Sequence, residues 1–117
     1  MTVIGPDFIA LQVRDLVSSA AFYTERLGLR PAPVSPPHAV VFATEPISFA
    51  VREPIADLDG DPLGVGMVLW LKAEDPDAVH ADLAAHGVPI VTEPFDGPFG
   101  RTFSFRDPDG YVVTLHG

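Results

Sequence analysis

Phe8-Ile9-Ala10-Leu11-Gln12-Val13-Arg14-Asp15-Leu16 is the stretch on which the fold turns. Its first six residues alternate: Ile9, Leu11 and Val13 share one face of a strand, and Phe8, Ala10 and Gln12 the other. Asp15 stands where a helix N-cap belongs, its carboxylate able to accept from backbone N–H groups that the first helical turn leaves unpaired. Leu16, Ala20, Tyr23 and Leu27 follow at helical spacing, and Gly28 supplies a left-handed stop. Three β-like runs come next, at 30–34, 38–43 and 47–52, parted by Pro, His and Glu-Pro turn signals.

Residues 53–65 contain Pro54, Asp57, Asp59, Gly60, Asp61, Pro62 and Gly64. They suit neither a helix nor a central strand and read as a linker. Beyond them the order returns. An apolar strand at 66–73 leads to Asp75-Pro76, an N-cap with proline at the first helical position. Val79 and Leu83 face the core and Gly87 ends the helix. Strands are expected at 88–92, 101–106 and 111–116, the last two joined by Asp107-Pro108-Asp109-Gly110, in which proline presets the turn and glycine takes a positive φ. Each half is strand, helix, then three strands. The pattern predicts an α+β fold of two tandem βαβββ modules, 1–56 and 64–117, within a single domain spanning 1–117. One module cannot bury both faces of its own sheet, so the two mixed sheets are expected to pair around a concave cup.

With 117 residues, 47% of them apolar, the chain can bury a core without disulfide or metal staples. The absence of cysteine removes disulfides, thiolate nucleophiles and Cys-based zinc sites together. No apolar run approaches the roughly 18–20 residues of a membrane span. Met1-Thr2-Val3-Ile4-Gly5-Pro6 lacks the basic-then-apolar pattern of a secretory signal. A cytoplasmic protein with no membrane partner is expected. The formal charge of −9, with seven scattered basic residues, argues against a nucleic-acid partner, whose phosphates need clustered Lys and Arg. Residues 1–56 carry a net −1 and residues 57–117 a net −8. That acidic field either favours cationic ligands or simply keeps the surface solvated.

Val13-Arg14-Asp15-Leu16, Phe22-Tyr23 and Leu27-Gly28 resemble the opening signature of the vicinal oxygen chelate superfamily. Phe105-Arg106-Asp107-Pro108-Asp109-Gly110-Tyr111 resembles its final hairpin. The likeness spans essentially the whole chain and keeps the order of elements. The superfamily includes glyoxalase I, extradiol dioxygenases, epimerases, thiol transferases that inactivate fosfomycin, and metal-free bleomycin-resistance proteins. The resemblance therefore implies a fold and a homodimer, and leaves the function to the site. In the enzymes, His, Gln or Glu side chains on the first and last strand of each half hold a divalent metal, with open positions for substrate oxygens. The matching positions here are Phe8, about Val68, Thr114 and, on the fourth strand, Ser48, Ala50 and Arg52. None is a good ligand, and Arg52 would repel a cation. No metal and no cofactor are expected.

His80 and His86 lie six apart on the second helix and cannot chelate together from one face. His38 reads as a turn residue, whereas His116 shares strand parity with Thr114. Asp57-Leu58-Asp59-Gly60-Asp61 is similar to a calcium loop, but Pro62 and Val68 occupy the positions that need Gly and Glu. Gly64-Val65-Gly66 lacks the third glycine of a dinucleotide motif. No Ser, His and Asp stand at triad-like spacing.

The candidate ligand-binding residues are Phe8, Gln12, Arg52, Trp70, Phe99, Thr114 and His116, with Ala10 and Val68 beside them: aromatic walls and a few polar groups. Trp70, the single tryptophan, reads either as a platform for a flat ring or as core packing. The expected function is metal-free binding of the glyoxalase/bleomycin-resistance type, sequestering an aromatic small molecule, with the acidic second half favouring a cationic one. The alternatives are a metal-dependent lyase or dioxygenase with unusual ligands such as His116 or His38, and a domain serving only a structural or regulatory partner. Whether the chain catalyses anything stays open at this point.

Overall fold

The computed structural model describes residues 4–60 and 62–117; Met1, Thr2 and Val3, where a leader was sought, and Asp61 of the linker lie outside them. The chain divides into two compact units, Met1–Leu58 and Asp59–Gly117.

The first unit contains β1 (Phe8–Gln12), α1 (Leu16–Ala21), β2 (Ala39–Phe42) and β3 (Ser48–Arg52). Its sheet runs β1-β3-β2, with β1 parallel and β2 antiparallel to β3. Asp15 caps α1 as its position demands, accepting from Ser18 N at 3.1 Å. The strand expected at 30–34 shrinks to a single antiparallel bridge between Pro31 and Phe42, flanked by bonds from Ala32 N to Val41 O and from Ala43 N to Arg30 O. Pro31 and Pro33 explain the shortening, since neither has an N–H to give a ladder.

The helix also departs from a plain 3.6-residue repeat. After Ala21 it widens into a π-helical turn, Phe22–Arg26. The expected stripe still reaches the core: Tyr23 is fully buried, its ring 5.1 Å from Phe49 and 6.1 Å from Phe42. Enclosing a ring of that size removes about 150–250 Å² from water, worth roughly 4–6 kcal/mol. That exceeds the cost of about 1 kcal/mol for an imperfect backbone bond in the widened turn. Nor is the start of the linker loose. Arg14 Nη2 donates to Leu58 O at 2.7 Å, Ile55 N donates to Gln12 Oε1 at 2.8 Å, and Leu58 is buried.

The second unit contains β4 (Leu69–Lys72), α2 (Pro76–Ala85), β5 (Ile90–Gly97), β6 (Gly100–Arg106) and β7 (Val112–His116). Its sheet runs β4-β7-β6-β5, with β4 parallel to β7 and the other pairs antiparallel. Asp75 caps α2 by accepting from Ala78 N at 3.1 Å, and Pro76 opens it. β4 starts later than its apolar run because residues 63–66 turn, with Met67 N donating to Gly64 O. β5 runs further than expected and shifts register on both sides of Thr92. The hairpin between β6 and β7 is tied by Asp107, whose Oδ1 accepts from Asp109 N and Tyr111 N at 2.9 Å each. Leu83, Phe103, Phe105, Val113 and Leu115 are buried, and the His80 ring of α2 meets Phe103 edge-on at 5.3 Å.

Candidate functional site

Strand register decides which side chains share a face. Trp70 lies opposite Thr114 and Lys72 opposite His116 across β4 and β7; Ser104 lies opposite Thr114 and Thr102 opposite His116 across β6 and β7. Because side chains alternate along a strand, these six residues occupy the face of the second sheet turned away from α2.

Trp70 is the centre of that face. Its ring stands 5.7 Å from Phe99 and 5.7 Å from His116, edge-on to both. Phe99 arrives from the turn between β5 and β6, and the next residue must be glycine. Gly100 has φ 95°, and a Cβ there would run into the carbonyl of Gly117. His116 Nδ1 lies 3.2 Å from Phe99 O. A carbonyl only accepts, so Nδ1–H is the donor in this contact. The rings are not core: Trp70 is 44% and Phe99 65% exposed. Phe95, placed on the same face by its pairing with Thr102, is also exposed. Below them, Thr114 Oγ1 and Ser104 Oγ bond to each other at 2.8 Å, and Thr102 Oγ1 donates to Gly100 O at 3.0 Å. The Ser104 and Thr114 hydroxyls pair with each other and that of Thr102 is given to a backbone carbonyl, so the arrangement offers stacking and hydrogen bonding.

The other sequence-derived candidates lie on the first unit. Phe8, Ala10 and Gln12 pair in register with Ser48, Ala50 and Arg52 on the face opposite α1. Phe8 is half exposed. Gln12 Oε1 accepts from Ile55 N, and Arg52 Nε donates to Glu53 O at 3.1 Å. Val68, just before β4, is exposed.

At the positions to which the resemblance would assign metal ligands, the chain presents a phenyl ring at Phe8, an isopropyl group at Val68 and a hydroxyl already paired at Thr114. These residues do not fit a divalent cation. Among the described residues no group of three or more His, Cys, Asp or Glu gathers to hold one. His38 Nδ1 lies 2.6 Å from Glu53 Oε2, and His86 Nδ1 lies 2.7 Å from Asp82 O. His80 Nε2 is 2.7 Å from Glu93 Oε2, near enough for a charge pair but without hydrogen-bond alignment.

Ser104 and Phe95 are not legible as members of this face from residue type alone, whereas Lys72 follows from strand alternation with Trp70. A signal for Ser104 existed. The turn at 107–110 sets the β6–β7 register, and counting back from it places Ser104 opposite Thr114.

The model of the Glyoxalase/Bleomycin resistance protein/Dioxygenase superfamily matches residues 5–115. The phenazine antibiotic resistance protein EhpR of Enterobacter agglomerans is 26% identical over 119 residues, covering 96% of this chain and 91% of that protein. A glyoxalase/bleomycin resistance protein from Streptomyces sp. CB03234 matches in structure with a TM-score of 0.75 at 27% identity, over 97% of this chain and 100% of that one. TnmS3, an antibiotic binding protein from Streptomyces sp. CB03234, matches with a TM-score of 0.73 at 27% identity, over 99% and 97%.

Proposed function

The chain belongs to the Glyoxalase/Bleomycin resistance protein/Dioxygenase superfamily, and from that premise we propose that it binds and sequesters an aromatic small molecule without a metal, as an antibiotic-binding protein does. The observation that carries this reading is the half-exposed trio Trp70, Phe99 and His116 above a pair of hydroxyls. Rings left partly in water gain when a flat ligand covers them: each 100 Å² of apolar surface removed is worth about 2.5 kcal/mol before the cost of association. Edge and stacking geometry adds roughly 0.5–1.5 kcal/mol. The relative named for phenazine resistance and the antibiotic-binding TnmS3 support a ligand of this kind. The second unit's Trp70, Phe99, Thr114 and His116 are proposed as contacts, and Phe8, Gln12 and Arg52 as further contacts on the first unit. The working form is proposed to be a cytoplasmic homodimer; among the described residues no helix is long and apolar enough to cross a membrane.

The test uses the single tryptophan as its own reporter. Titration with phenazine should quench Trp70 fluorescence saturably and raise the thermal midpoint, because a ligand that binds only the native state must stabilise it. The thermal shift should vanish in Trp70→Ala, and in the unsubstituted protein both responses should survive chelation. If a panel of planar aromatics produced neither quenching nor a shift, the reading would be abandoned. Stoichiometric metal in protein purified without chelators would move it to the metal-dependent lyase or dioxygenase. Light scattering at twice 12.5 kDa would support the dimer.

A further inference from the structure

Net charge suggests a cationic ligand, yet the face around Trp70 has the opposite sign. The strands of the second unit carry two carboxylates, Glu93 and Asp96, both on β5. Both are turned to the helix side. Glu93 lies against His80 of α2, and Asp96 meets Arg101, which also holds Asp77 of α2 at 3.0 Å. Asp75 caps α2, and Asp107 is folded into the hairpin. On the opposite face the register leaves Lys72 and Arg106 as the only fully ionised side chains among the paired strand positions. Arg106 Nη1 is engaged by Gly110 O at 3.0 Å. Lys72 is exposed and shares its face with Trp70, and among the described residues it has no ion-pair partner. It stands one strand across from His116, whose ring lies against Trp70. Glu74, two residues on, is exposed and forms no ion pair with Lys72, and acids farther than about 8 Å away through water are screened at physiological ionic strength. A group in contact with Lys72 is not screened in this way.

Resting on the aromatic site proposed above, we infer that its ligand carries an anionic group, an aromatic carboxylate, with the ring against Trp70 and the carboxylate on the Lys72 ammonium. The two strand carboxylates of this unit, Glu93 and Asp96, then belong to the side of the sheet the ligand does not touch.

Three tricyclic probes of one shape decide the matter by calorimetry on the full chain: an acridine carboxylate, its neutral carboxamide and an aminoacridinium cation. The carboxylate is expected to bind about tenfold tighter than the carboxamide, the usual scale for a hydrogen bond to a charged group, and the cation weakest. Lys72→Met should bring the carboxylate down to the carboxamide's affinity while leaving the carboxamide unchanged, and Lys72→Arg should keep the preference. Equal binding of all three, a preference for the cation, or a carboxylate preference that survives in Lys72→Met would overturn the inference and leave the aromatic site standing. Failure of all three to bind would remove the aromatic site as well.

Discussion

The two units run through nearly the same order of elements, and on the helix side they make the same kind of core: Tyr23, Phe42 and Phe49 behind α1, and Leu83, Phe103 and Phe105 behind α2. Their opposite faces differ. The first sheet shows mainly short side chains there, Ala10, Ala39, Val41, Ser48 and Ala50, framed by Phe8 and Arg52. The second shows Trp70, Phe95, Lys72 and His116 around hydroxyls. A helix-covered face must be apolar and close-packed wherever the motif occurs. The face away from the helix is released from that demand, and it is where two copies of one scaffold can come to carry different chemistry.

That comparison can be broken most directly in the cores. Phe42→Ala and Phe103→Ala should each lower unfolding free energy by roughly 3–5 kcal/mol, since both rings are fully buried and leave cavities. Chemical denaturation of the two variants checks this, and a much smaller cost in one unit would mean that the helix sides are not equivalent. On the opposite face the effect should move from stability to binding. Trp70→Ala should cost only about 1–2 kcal/mol, because much of the ring already lies in water, yet abolish phenazine binding. Phe8→Ala, measured in the same titration, shows whether the first unit's face contributes.

Smaller effects sharpen the contrast. Thr114→Val should cost about 1–2 kcal/mol by leaving Ser104 Oγ without its partner, whereas Thr114→Val combined with Ser104→Ala should recover most of that loss. Thermal unfolding of the single and double variants checks the coupling. Asp75→Ala should cost about 1 kcal/mol through the lost cap of α2.

The matching cap in the first unit adds a pH signature. The backbone N–H of Ser18 holds the Asp15 carboxyl below its ordinary value. A depressed value means that the carboxylate's contribution is present at neutral pH and is lost as the pH falls through the folded-state value. Asp15→Asn keeps a capping oxygen and should flatten the acid limb of a stability–pH curve slightly. An unchanged limb would show that Asp15 does not contribute to it.

Much of the fold was legible because the cues are local. Asp15, Asp75, Gly28 and the 107–110 turn each act within a few residues, and the repeated order of elements follows from them. Where local cues failed, a non-local demand had won. The run at 30–34 alternates well enough for a strand but offers prolines where a ladder needs donors. The helical stripe of α1 conceals a π-helical turn that places Tyr23 against Phe42 and Phe49. At the site, strand parity points to Trp70 and His116 and the glycine-flanked loop to Phe99, and the three rings lie side by side. Parity points to Gln12 too, whose Oε1 accepts from Ile55 N.

The alternation of strands and helices, the caps and turns that bound them, and the family are written along the chain. These follow from spacing and residue chemistry. It takes the folded chain to show that Phe99 crosses a turn to reach Trp70, that Ser104 pairs with Thr114, and that Glu93 and Asp96 turn toward α2, away from Lys72 and Trp70. The reason is register: which residues share a face depends on how distant strands align, and a charge total counts every acid alike whichever side of the sheet it occupies.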